Sequence, residues 1–230
     1  MLPITLLPGL ACDADLWRDQ VSSLSARQVV RVSDVHTRCA TLPQMAAALL
    51  AEAPGDLLLC GASMGGMLAL EVARQAPQRV KGLALLGSSA RADTPELIRL
   101  RSEAIVLFEQ GRMHEVLDAN VAFAFDPAHA AALTPRYLAM MDRAGAAQLV
   151  AQNRAVMARA DQRPLLPRIA CPTLVLAGES DLLAPPEHSR EMAALIPGAR
   201  LELLPQCGHM LTWERPAAVT ALLADWLARL

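Results

Sequence analysis

Aromatic residues are scarce in this 230-residue chain, at 3%: three Phe, three Trp and one Tyr. That scarcity argues against a stacking platform for nucleic-acid bases. Charge is also limited. Charged residues make up 19%, the net charge is −2, and the basic residues are scattered along the chain. No footprint for a phosphate backbone is present. The five cysteines, at 12, 39, 60, 171 and 207, form no C-x-x-C pair and no zinc-ligand spacing. An odd number suits a reducing compartment. No apolar stretch is long enough and free enough of charge to span a bilayer. The run from Met1 to Cys12 is apolar, but it lacks a basic start and is broken by Pro3, Pro8 and Gly9. It reads as a first strand and not as a signal segment. The expectation is a cytoplasmic protein, monomer or homodimer, with no nucleic-acid and no membrane partner.

What is abundant is apolar surface, with 53% of residues hydrophobic. The chain therefore has enough material for one domain over 1–230 with a real core. Strand-like and helix-like segments alternate, which predicts an α/β fold with a mainly parallel sheet flanked by helices. Strands are expected at Ile4–Leu7, Gln28–Val32, Asp56–Cys60, Val80–Gly87, Thr173–Ala177 and Leu201–Leu204. Helices are expected at Asp13–Leu24, capped by Asp13, after the Thr41-Leu42-Pro43-Gln44 capping box, from about Glu187 to Leu195, and from Pro216 onward. Between Ala90 and Pro167 the alternation breaks into a mostly helical pattern, with boundaries near Gly111, Asp126-Pro127 and Thr134-Pro135. The simplest picture is a helical insertion over 90–167 within the sheet domain.

Gly61-Ala62-Ser63-Met64-Gly65 fits G-x-S-x-G, the nucleophile-elbow pattern. A Gly-rich turn can match this pattern by chance, so context decides. The apolar run before it suits a parallel strand covered on both faces. After it, Ala69, Val72, Ala73 and Ala76 recur at helical spacing until Pro77. Small residues at 61, 65 and 66 relieve the crowding of such a turn. Ser63 would stand at a helix N-terminus, where free N–H groups favour developing negative charge.

A serine hydroxyl needs a base, and the base needs an orienting acid. In a strand–elbow–helix enzyme the chain order is Ser, acid, His. Asp181, in Gly178-Glu179-Ser180-Asp181, follows a strand and is placed at its carboxyl end. Glu179 is the alternative acid, and a plain capping role for Asp181 stays open. His209, in Cys207-Gly208-His209-Met210, is the candidate base. His36 comes too early, His188 too soon after Asp181, and His114 and His129 fall in the helical region as surface residues. Backbone N–H groups of Leu10, in Pro8-Gly9-Leu10-Ala11, and of Met64 are the candidate oxyanion donors. An ordinary turn explains the first of these segments equally well. Cys60 reads as a core residue. Met64, Met67, Met140, Met141 and Met210 read as lining or underlying an apolar pocket roofed by Phe108, Phe123, Phe125 and Tyr137, with plain core packing as the alternative.

These residues resemble the α/β-hydrolase superfamily over essentially the whole chain. The resemblance rests on the elbow at Ser63, Gly178-x-x-Asp181-x-x-x-Pro185, and Gly208-His209 followed by Glu214-x-Pro216. It implies a helical cap over the site and a Ser63–Asp181–His209 triad. Within the superfamily the layout is similar to small carboxylesterases and 3-oxoadipate enol-lactonases, through Ser88-Ser89-Ala90-Arg91, Ala155 with Asp161 and Arg163, and Pro185-Pro186. Many relatives carry His-Gly where this chain has Pro8-Gly9. The resulting expectation is a serine hydrolase that cleaves a small-molecule carboxylic ester, lactone or thioester through an acyl-enzyme, with no metal and no cofactor. A lyase, C–C bond hydrolase, acyltransferase or perhydrolase with the same triad stays open, as does a non-catalytic ligand receptor. A dicarboxylate substrate would call on cap arginines such as Arg99, Arg101, Arg112, Arg136 and Arg143.

Overall fold

Six short apolar runs become one sheet in the computed structural model, which describes residues 2–230. The strands are β1 (Ile4–Leu7), β2 (Val30–Val32), β3 (Leu57–Ala62), β4 (Val80–Leu86), β5 (Thr173–Gly178) and β6 (Arg200–Leu204). They lie in the order β2-β1-β3-β4-β5-β6, and every neighbouring pair is parallel. Because side chains alternate along a strand, consecutive residues feed two separate cores. Leu58, Cys60, Ala84, Leu86, Leu174 and Leu176 face one layer with Trp17, Leu24, Leu223 and Trp226. Leu57, Leu59, Leu83, Leu85 and Val175 face the other with Met45, Leu68, Val72 and Met192. Each fully buried leucine of this kind contributes roughly 1.5–3 kcal/mol relative to leaving it exposed.

Helices α1 (Arg18–Leu24), α2 (Val35–Arg38), α3 (Leu42–Glu52), α4 (Met64–Gln75), α5 (Pro95–Glu109), α6 (Met113–Ala124), α7 (Pro127–Met157), α8 (Pro186–Leu195), α9 (Leu211–Glu214) and α10 (Pro216–Leu227) complete the order. The segment read as one helix from Asp13 is two pieces, a 3₁₀ turn at Ala14–Trp17 followed by α1, and the Asp13 side chain caps it by accepting from the Asp15 amide. Thr41 caps α3 by accepting from the Gln44 amide. The strand expected from Gln28 starts at Val30.

Three helices, α5 to α7, and a 3₁₀ segment at Arg163–Arg168 lie between β4 and β5. The boundary expected at Thr134-Pro135 is displaced. Pro135 sits inside α7, and the break falls at Gly145, where φ is 74° and ψ 166°. Thr134 Oγ1 donates to the Ala130 carbonyl, one turn below the proline. A Cβ at Gly145 would meet nothing within 4 Å, so backbone conformation and not packing asks for glycine there.

The sheet order places the site. The chain leaves β1 toward β2, then crosses back over β1 to start β3. The switch point therefore lies between β1 and β3, and parallel sheets bind ligands outside the carboxyl ends of strands at such a point. The two loops there are Pro8–Cys12 and the turn at Ser63.

Candidate active site

Ser63 ends β3 and begins α4 with φ 53° and ψ −117°, a left-handed conformation that residues with a Cβ rarely adopt. Three contacts hold it there. The Ser63 amide donates to the Leu86 carbonyl, and the buried Ser88 hydroxyl donates to the Ser63 carbonyl at 2.8 Å. The third is close backbone packing, since a Cβ at Gly61 would lie 2.2 Å from the Gly65 carbonyl oxygen. Strain so over-determined is found where a side chain must be presented.

The Ser63 Oγ lies 3.0 Å from His209 Nε2, and His209 Nδ1 lies 2.8 Å from Asp181 Oδ2. The carboxylate accepts, so Nδ1 carries the proton and Nε2 presents its lone pair to the serine hydroxyl. Asp181 is 1% exposed. Its other oxygen, Oδ1, accepts from the amides of Leu183 and Ala184. These bonds close the turn after β5 and do not cap α8, whose N-cap is Pro185 and has no side-chain bond. Glu179 is exposed and takes no part. Burial works against a charged His209, but the charge and hydrogen bond of Asp181 outweigh it and hold the imidazole above its ordinary value.

The loop carrying His209 is braced by a residue noted in the sequence only as part of a motif. Glu214 is buried, and its carboxylate accepts from the amides of Gly208, Met210 and Asp126. Burial pushes its carboxyl up, and those amide donors pull against the shift. The His209 amide itself donates to the Ala124 carbonyl. Asp126 at the head of α7 accepts from the Ser180 hydroxyl at 2.6 Å, so the turn bearing Asp181 is tied to the same helix.

Leu10 and Met64 lie in the two loops at the switch point. Their amides make no hydrogen bond among the described residues. A Cβ on Gly9 would stand 3.4 Å from the Ser63 Cβ, which fixes how closely the first loop approaches the serine.

Residues 33–216 match the family described as alpha/beta hydrolase fold. The chain belongs to the α/β-hydrolase fold family. An esterase from Thermogutta terrifontis, solved with malate bound, has a TM-score of 0.90 at 27% identity, covering 100% of this chain and 90% of that one. The enol-lactonase from Burkholderia xenovorans LB400 has a TM-score of 0.88 at 27% identity, covering 99% and 92%. A pimeloyl-[acyl-carrier protein] methyl ester esterase from Nitrosomonas europaea is 29% identical over 222 residues, 90% of this chain and 88% of its own.

Within this α/β hydrolase the remaining candidates separate cleanly. Cys60 is buried in β3 and burial pushes its thiol well up, so it is a core residue. His114 is exposed beside Asp142. His129 is half-buried, not a surface residue. His36 is buried and bonds the Cys12 carbonyl. The methionine set does not converge on one pocket: Met140, Met141 and Met210 pack in one core, Met64 and Met67 in the other. Phe125 and Tyr137 meet edge to face at 5.6 Å and 83°, but Phe123 is exposed and roofs nothing. No helix among the described residues is long and apolar enough to cross a membrane, and none of their His, Cys, Asp and Glu side chains group as a metal site.

Proposed function

We propose that this α/β hydrolase cleaves small carboxylic esters, lactones included, with Ser63 as nucleophile, His209 as base and Asp181 as the orienting acid. The observation that carries the reading is the unbroken line of contacts Ser63 Oγ–His209–Asp181 at 3.0 and 2.8 Å. Nε2 accepts the serine proton as Oγ attacks the carbonyl carbon. The oxygen becomes negative and takes the Leu10 and Met64 amides. Asp181 stabilises the imidazolium, which protonates the departing alcohol. Water then attacks the acyl-enzyme with His209 again as base, and Ser63 is restored. The three relatives support an acyl–oxygen bond as the target, since an esterase, an enol-lactonase and a methyl ester esterase all cleave one.

The five cap arginines do not favour a dicarboxylate lyase. Each already pairs with a carboxylate: Arg99 with Glu96 and Glu103, Arg101 with Asp93 (shared with Arg159), Arg112 with Glu115, Arg136 with Asp15 (shared with Arg18) and Arg143 with Asp13. The test is a panel of p-nitrophenyl esters of rising acyl length with simple lactones, read by product analysis. Turnover of short esters to acid and alcohol is expected. No turnover of any member would sink the proposal.

The raised His209 value sets the pH dependence. The base must be neutral, so kcat/KM rises with pH through an apparent pKa above the ordinary 6.5 of histidine. The stability linkage runs the other way. A group whose folded pKa is raised stabilises fully below its unfolded pKa and loses that contribution as pH climbs through the folded one. Activity should therefore increase while Tm falls across the same window above pH 6.5. A kinetic midpoint below that value would contradict the assigned pairing.

A further inference from the structure

We propose that Gln152, on α7, is a positioning residue that clamps the Gly9–Cys12 loop in the shape an oxyanion hole requires. The proposal rests on the reading of Ser63 as nucleophile and Leu10 as oxyanion donor. It adds a residue 141 positions away in sequence from the loop it holds.

The loop needs a clamp. Ala11 has φ 55°, a left-handed conformation costly for a residue with a Cβ. Only Ala11, Ser63 and Gln206 do this among the described non-glycine residues, and the first two lie on either side of the switch point. At Ser63 the strain is held by Leu86 and Ser88. At Ala11 it is held by Gln152. The Ala11 amide, fully buried, donates to Gln152 Oε1 at 2.6 Å. Gln152 Nε2 donates to the His36 carbonyl at 2.8 Å, and the His36 ring closes the bracket with its Nε2 at 2.8 Å from the Cys12 carbonyl.

The chemistry fixes every role in this bracket. An amide N–H can only donate and a carbonyl can only accept, so both atoms of the Gln152 carboxamide are assigned by their backbone partners. The Cys12 carbonyl likewise requires the His36 proton on Nε2. Burial pulls His36 below its ordinary value, in keeping with a neutral ring. Gln152 is 1% exposed, so it is buried under the loop.

The consequence for the hole is selective. The Cys12 amide is taken by the Gly9 carbonyl, and the Ala11 amide by Gln152. The Leu10 amide, just before these two, keeps no partner among the described residues. Gln152 thus fixes the neighbours of the proposed donor and leaves that donor available. Because Gln152 lies in the part of α7 that follows the break at Gly145, a displacement of that part loosens the hole.

The experiment compares wild type, Ser63→Ala, Gln152→Met and Gln152→Glu on p-nitrophenyl butyrate, with an alkyl trifluoromethyl ketone as inhibitor. The ketone adds Ser63 Oγ to its carbonyl, and the resulting anionic oxygen sits where the transition-state oxygen would. Gln152→Met keeps the length of the side chain and removes both hydrogen bonds. A 1 Å misplacement costs on the order of 100-fold in rate, so a fall in kcat of about 10- to 100-fold is expected, with KM within about twofold. Affinity for the ketone should fall by the same factor as kcat/KM. Gln152→Glu keeps an acceptor for the Ala11 amide and should lose less, about 3- to 10-fold. A purely structural residue would lower Tm and leave kcat per folded molecule unchanged. If Gln152→Met does not fold, the same comparison is read on Gln152→Glu, where wild-type kcat and ketone affinity overturn the proposal. Ser63-dependent turnover with an undiminished Gln152→Met kcat overturns the role of Gln152 alone. No Ser63-dependent turnover in wild type overturns the hydrolase reading beneath it.

Discussion

Ser63→Ala should lower kcat on a short p-nitrophenyl ester by about a million-fold, the scale seen when the nucleophile of a serine enzyme is removed. The loss is this large because Oγ is the only atom of the His209–Asp181 line that can bond to the carbonyl carbon. The variant should remain folded. Alanine inherits the φ of 53° at this position without adding an atom, and the elbow keeps its bonds to Leu86 and Ser88. What is lost locally is one hydrogen bond to His209 at 3.0 Å, worth roughly 0.5–1.5 kcal/mol. Residual activity above the water rate should persist, since the Leu10 and Met64 amides still polarise a bound carbonyl. His209→Ala should be about as damaging, and the double variant no worse than either single one, because the two residues act as a unit. Steady-state turnover with circular dichroism on the same samples measures all three. A folded Ser63→Ala with more than about a hundredth of wild-type kcat would remove Ser63 from the chemistry, given the scale above.

The parts of this site that the sequence made legible share a property: they are local. Ser63 announces itself through glycines two residues away on either side. Asp181 and His209 each follow a recognisable strand and turn. Chain order does the rest, because a parallel sheet delivers every such turn to one edge. Gln152 and Ser88 were not legible in this way. Gln152 lies on a helix with no strand to index it, and its role depends on a contact with Ala11 that no periodicity encodes. Ser88 stood in a motif, but its task of holding the Ser63 carbonyl is a consequence of β3 pairing with β4. Helix ends show the same divide. Thr41 and Asp126 cap as their side chains dictate. Pro135 does not break α7, and Gly145 does, because a proline inside a helix forfeits one bond whereas this glycine takes a conformation that leaves the helix altogether.

Gly65→Ala carries the largest structural effect and separates close approach from simple helix propensity. Gly65 lies in the first turn of α4, where alanine would ordinarily favour the helix by about 1 kcal/mol. Here the added Cβ would lie 2.0 Å from the Leu7 carbonyl oxygen, 2.6 Å from its carbon and 2.8 Å from the Pro8 oxygen. All three atoms are backbone, so no side chain can swing away. Relief requires α4 to withdraw from the end of β1, and that movement pulls Ser63 from the Pro8–Cys12 loop. A destabilisation of about 4 kcal/mol or more is expected, the range reserved for strain of this kind. For a chain of this size it corresponds to a fall in Tm of roughly 8–16 °C. The surviving folded fraction should lose about 100-fold in kcat, since the serine and the Leu10 amide no longer keep their spacing. Gly82→Ala is the control. Its Cβ would meet Trp226, Leu230 and Leu58 side chains at 2.8–3.2 Å, atoms that can repack, and it lies away from the carboxyl edge of the sheet. Its cost should be confined to stability and kcat should be kept. If Gly65→Ala matched Gly82→Ala in both measurements, the contact between α4 and β1 would be elastic, and the spacing between Ser63 and the Pro8–Cys12 loop would not depend on it.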